Sequence, residues 1–171
     1  MLLQSVQYVL FALFPATLAF AAASDLLTLT IPNRLVLAIA ALFVVLSPLT
    51  HTSWADFGMH FVAGGAVLAI GFTCFAFGWI GGGDAKLAAA IALFLGAENA
   101  VEFVGISSIF GGVLTVGLLA FRYAPVPAFI IRQPWVQRLH DRATGVPYGI
   151  ALAAGALVVY PHSIWIAMVV G

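Results

Sequence analysis

Asp25 and Asp84 are the residues of this chain whose type and placing can do chemistry. Asp84 follows three glycines in Gly81-Gly82-Gly83-Asp84-Ala85-Lys86, and Asp25 closes the first apolar run. Two facing carboxyls that share one proton can hydrolyse a peptide bond without a metal or a covalent nucleophile. The ionised member takes a proton from water, and the protonated member polarises the carbonyl. Each aspartate also has a structural explanation by itself. An aspartate after glycines makes a good helix N-cap, and Asp25 can be an interfacial residue in a short loop. Whether they form a pair depends on the elements that carry them.

Those elements are almost wholly apolar. Of 171 residues, 64% are hydrophobic and 7% charged, against about 25% charged in a soluble domain. So little charge predicts an all-α, polytopic membrane protein, here a single domain over residues 1–171. Six apolar runs, at residues 5–24, 35–46, 59–80, 85–95, 101–121 and 147–160, predict six transmembrane helices. The first has the small residues of a signal-peptide cleavage site, but no basic residue precedes it and it is long enough to span. The fourth is alanine-rich and reaches roughly 17–20 Å, short of a bilayer core of about 30 Å. It therefore needs neighbours for cover. Residues 122–146 form the one long polar region, and apolar Phe129, Val136 and Leu139 among its arginines predict an interfacial amphipathic segment.

The charges orient the spans. Arg34, Lys86, Arg122, Arg132, Arg138 and Arg142 all fall on one side, and Asp56, Glu98 and Glu102 on the other. The positive-inside rule makes the first side cytoplasmic and places the amino terminus outside. Asp25 then ends the first span and Asp84 begins the fourth, both at the cytoplasmic boundary. Acids at such a depth are functional candidates, because lipid tolerates them only beside protein or a wet cavity. Helix ends predict their charge: Asp84 at an amino terminus is expected ionised, and Asp25 at a carboxyl terminus protonated, as one coupled pair.

Other functions fit less well. There is no basic block for nucleic acid. The lone Cys74 excludes an internal disulfide and a multi-cysteine zinc site. His51, His60, His140 and His162 fall on different sides, so no metal and no cofactor is expected. A small ion- or proton-coupled transporter would want acids near mid-membrane, and these lie at one face.

At this point the motifs resemble a known family. Gly81-Gly82-Gly83-Asp84 resembles the GxGD motif of membrane aspartic peptidases, and Asp84-Ala85-Lys86-Leu87 its continuation in type IV prepilin peptidases. Asp25 followed by Ile31-Pro32-Asn33 resembles that family's other aspartate region, and Val146-Pro147-Tyr148-Gly149-Ile150-Ala151 its last-span motif. The chain looks most like the short members of Flp (tight-adherence) pilus systems. The resemblance implies catalytic Asp25 and Asp84, and cleavage of prepilin leaders at the cytoplasmic face of the bacterial inner membrane. The cysteine-bearing region of larger members has no counterpart here, so N-methylation is not implied. Residues 26–30 are uncharged where many relatives carry basic residues, which bears on leader preference. A GxGD-type peptidase for another signal or membrane peptide is the alternative. Gly81, Gly82, Gly83, Lys86, Pro32 and Asn33 are expected to support the loops or meet the substrate, and the arginines of 122–146 to meet anionic lipid.

Overall fold

The shortest apolar run is the centre of the molecule. The structure is a computed structural model that describes residues 2–50 and 53–170; His51 lies outside the described residues. Helix α4 (Gly82–Leu95) buries Ala85, Leu87, Phe94, Leu95 and the run from Ala89 to Ala92. Around it stand α2 (Asn33–Leu46), α3 (Trp54–Ala76), α5 (Ala97–Tyr123) and α8 (Tyr148–Val159), and α1 (Leu2–Thr28) packs chiefly on α8. Short helices α6 (Ala128–Ile131), α7 (Pro134–His140) and α9 (Ile164–Val170) complete the chain, and the described residues contain no strand. A run too short to span by itself is thus sheathed by its neighbours.

Alanine makes α4 narrow, and glycine brings α3 onto it. A Cβ on Gly64 would lie 2.9 Å from the Cβ of Leu93, and one on Gly71 would lie 3.1 Å from that of Ala85. Gly65, one residue along, has nothing within 4 Å of an added Cβ. Gly64→Leu is therefore expected to part α3 from α4 and lower the Tm in detergent by roughly 5 °C. Gly65→Leu is expected to leave it unchanged. Equal Tm values for the two variants would contradict this packing.

The far end of α4 is closed by aromatic rings. Phe94 stacks on Phe14 with centroids 3.9 Å apart and on Trp165 at 4.6 Å. The Trp165 indole N–H donates to the Phe94 carbonyl at 2.7 Å. Gly96, at φ +84°, then turns the chain directly into α5. Among the described residues, α3 and α5 are long and apolar enough to cross a bilayer by length and composition. The apolar helices at Ala12–Thr28, Asn33–Leu46 and Tyr148–His162 are shorter.

The polar region folds back on the body as two short helices, α6 and α7. Pro134 starts α7 afresh, so Val136 and Leu139 turn inward while Phe129 stays exposed. Arg122 differs from the lipid-facing role that its charge suggested. Arg122 is buried; its Nε donates to the Leu139 carbonyl at 2.8 Å, and its Nη2 to the carbonyls of Thr144 and Gly145 at 3.0 and 2.9 Å. Arg138 donates to the Leu27 carbonyl at the end of α1, and the Arg142 guanidinium lies 4.2 Å from the centroid of the Tyr123 ring. Arg122 thus fastens the segment that leads into α8. Arg122→Ala leaves buried carbonyls unpaired and is expected to cost about 3 kcal/mol, read as a lower Tm. Arg122→Lys is expected to restore little, because an ammonium lacks the guanidinium's fork of donors. Full recovery with lysine would show that charge alone matters there.

Candidate active site

Three helix ends meet at one end of the bundle. Helix α1 runs on past Asp25 for one more turn. Leu29, at φ +52°, ends it, with its N–H on the Asp25 carbonyl at 2.7 Å. The Ser24 hydroxyl donates to the Thr30 carbonyl at 2.9 Å, which folds the chain over the helix end. Pro32 is the N-cap residue of α2, where its missing N–H costs nothing. Ile31 then lies against Gly83: a Cβ there would sit 3.4 Å from the Cβ of Ile31.

Asp84 is the third residue of α4, and Gly81 holds the N-cap position. Its carboxylate reaches back to accept the Gly81 N–H at 3.3 Å. The N-cap role that the sequence allowed for Asp84 therefore belongs to Gly81, although the carboxylate still satisfies a donor at the helix start. Gly82 rests against the Phe75 ring, with 3.3 Å from an added Cβ to the nearest ring carbon.

Asp25 is buried, at 5% exposure, and its Oδ2 accepts the N–H of Gly149 at 2.7 Å. Gly149 is the second residue of α8. A Cβ there would lie 2.9 Å from both the Cβ and the Oδ2 of Asp25, so only glycine permits this approach. The helix-end argument for a protonated Asp25 is corrected by this contact. Asp25 lies near the carboxyl end of α1, but the amino end of α8 points at its carboxyl. Each aspartate thus faces a helix amino terminus, and helix ends no longer tell the two apart.

The same end of α8 reaches Asp84. Tyr148 and Asp84 line one cavity. Lys86 turns the other way. It is exposed, and its Nζ donates to the Asn33 side-chain oxygen at 3.3 Å, linking α4 to α2. Of the supporting residues named from sequence, the glycines and Pro32 shape the backbone beside the aspartates. Lys86 and Asn33 form a separate brace.

A family model described as the type IV leader peptidase family matches residues 12–116. The chain belongs to that family. It is a peptidase, and the family implies substrates of the pilin type. No curated protein and no solved structure matches the chain. The matched stretch holds Asp25, Pro32, Asn33 and Gly81 to Lys86, and it ends before α8. Gly149 is the residue that sequence reasoning left without a task. It stood in a quoted motif, but its bond to Asp25 joins residues 124 positions apart. Arg122 was missed too, since a basic residue ending an apolar run reads as a boundary charge.

Proposed function

We propose that this peptidase is an integral-membrane aspartic endopeptidase that removes the leader from Flp-type prepilins at the cytoplasmic face of the bacterial inner membrane. The observation that carries the reading is the amino terminus of α8, whose Gly149 N–H holds the buried Asp25 carboxyl and whose Tyr148 lines the same cavity as Asp84, in a chain of the leader peptidase family. The pair holds one proton. The ionised carboxyl takes a proton from water as the water oxygen attacks the scissile carbonyl carbon. The protonated carboxyl gives its proton to the carbonyl oxygen. As the tetrahedral intermediate collapses, the C–N bond breaks. The first carboxyl passes its proton to the departing nitrogen, and the second recovers a proton from a hydroxyl of the intermediate.

Membrane insertion by six helices, α1 to α5 and α8, with the amino terminus outside, belongs to the same reading. Large apolar side chains such as Ile70, Phe72, Val113 and Val116 stand exposed on α3 and α5, where lipid would cover them. Lys86, Arg122 and Arg138 make their contacts at the end that carries the aspartates. Asp56 and Glu98 share a cavity with Leu95 and Gly96 at the other end. That asymmetry supports a cytoplasmic site.

Purified protein in detergent is expected to cut a pilin-type precursor once, between leader and apolar segment, as located by mass spectrometry. Excess chelator is expected to leave the rate unchanged. An intact precursor after incubation with protein of normal Tm, or a rate that falls with chelator, would sink the reading.

A further inference from the structure

The first turn of α8 is gripped from two sides. Gly149 faces α1, where its N–H meets the Asp25 carboxyl. Tyr148, the residue before it and the first of the helix, faces α5. Its ring lies against Gly111, where an added Cβ would sit 2.8 Å from the ring's Cε1. Its hydroxyl is 3.2 Å from the Oγ1 of Thr115. Two turns further on, Gly155 returns to the same side of α8. A Cβ there would lie 2.9 Å from the backbone nitrogen of Ser107. Ser107, Gly111, Thr115 and Arg122 fall along one side of α5. They seat the body of α8, its first residue and, through Arg122, the carbonyls of Thr144 and Gly145 that lead into it.

The hydrogen atoms at Thr115 have one arrangement. Its hydroxyl donates to the Gly111 carbonyl at 2.7 Å, which uses its only hydrogen. The Tyr148 hydroxyl is therefore the donor to Thr115. Although Tyr148 and Asp84 line one cavity, the phenol proton is committed to α5 and not offered to a substrate carbonyl. What the bond does act on is the backbone. Ring and hydroxyl together hold Tyr148, and the next N–H along the chain is the one that Asp25 accepts.

We propose that Tyr148 is a positioning residue for Asp25. Held by Gly111 and Thr115, it keeps the amino end of α8 at the place where the Gly149 N–H meets the carboxyl. The inference rests on the peptidase reading and adds α5, which carries neither aspartate, to the parts that set the rate.

Tyr148→Phe leaves the ring on Gly111 and removes only the hydroxyl. Thr115→Val stays close to the shape of threonine and removes the acceptor. Each is expected to lower kcat for a pilin-type precursor in detergent by about tenfold with KM unchanged, since a small displacement of a reacting group is costly. The double variant is expected to lose no more than either single one, because one bond is removed in all three. Thr115→Ser, which keeps the hydroxyl, is expected to retain the wild-type kcat. In a Gly149→Ala background, Tyr148→Phe is expected to cost nothing further. The Tm of each preparation is expected to stay within about 3 °C of wild type. Should Tyr148→Phe fail to accumulate, Thr115→Val and Thr115→Ser carry the comparison. A loss in Tyr148→Phe with none in Thr115→Val would put the phenol on the substrate and overturn the proposal. Wild-type kcat in both variants overturns it as well, as does a tenfold loss that persists beside Gly149→Ala. If wild-type protein cleaves no precursor, the peptidase reading fails first and takes this inference with it.

Discussion

Asp25→Asn and Asp84→Asn are each expected to lower leader cleavage by about 10³-fold or more, while the protein keeps its Tm. Asparagine has the shape of aspartate and keeps a carbonyl oxygen. At position 25 it can still accept the Gly149 N–H, and at position 84 that of Gly81. The helix ends therefore stay satisfied, and a change in rate reports chemistry more than folding. What asparagine cannot do is hold or release a proton. With one member lost, the pair can no longer take a proton from water and give one to the carbonyl in the same site. Single-turnover cleavage in detergent, with Tm measured on the same preparation, separates the two effects. A wild-type rate in either variant removes the two-carboxyl mechanism. In the wild type, rate against pH is expected to be bell-shaped, because a doubly protonated pair lacks the base and a doubly ionised pair lacks the acid. The two limbs belong to the pair and not to either residue.

Gly149→Ala is expected to be nearly as damaging, by about 10²-fold in kcat, although no reacting group is removed. The added methyl would meet Asp25 at 2.9 Å, at both its Cβ and its Oδ2. The Cβ of Asp25 is anchored to its helix and cannot swing aside as the tip of a long side chain can. Either α8 retreats from α1, or the carboxyl turns away and its 2.7 Å bond to the Gly149 N–H is lost. A catalytic carboxyl displaced by about 1 Å is enough for a loss of this size. Alanine favours a helix over glycine by about 1 kcal/mol, so the Tm need not fall with the activity. Gly112→Ala is the control, since nothing lies within 4 Å of an added Cβ there. Equal kcat values for the two variants would show that Gly149 does not position Asp25.

These two expectations differ in how far the sequence alone supports them. Asp25 and Asp84 stand out because acids are rare in this chain and both sit where apolar runs break. The helices were legible for the same kind of reason. Apolar runs, the glycines at 81–83, Pro32 and Pro147 act within a few residues of themselves. The observed helices accordingly begin or end close to them. The alanine-rich fourth run announced its need for cover, and α4 is the most enclosed helix.

What the sequence could not supply was which faces meet. Lys86, two residues after Asp84, was expected to support the loops or meet the substrate, but α4 turns it about 200° away from Asp84, at about 100° per residue, toward Asn33. Arg122 looked like a boundary charge, but the return of the chain before α8 wraps three carbonyls around its guanidinium. Asp84 looked like an N-cap, but the helix starts at the glycines before it. Above all, nothing near Asp25 in the chain reveals that the amino end of α8 covers its carboxyl. Composition, turn residues and periodicity are local quantities, and they determined the class of protein, the helices and the two aspartates. The electrostatic setting of Asp25 depends on a backbone N–H brought from the far end of the chain. Only the packing of α1 and α4 around α8 decided that.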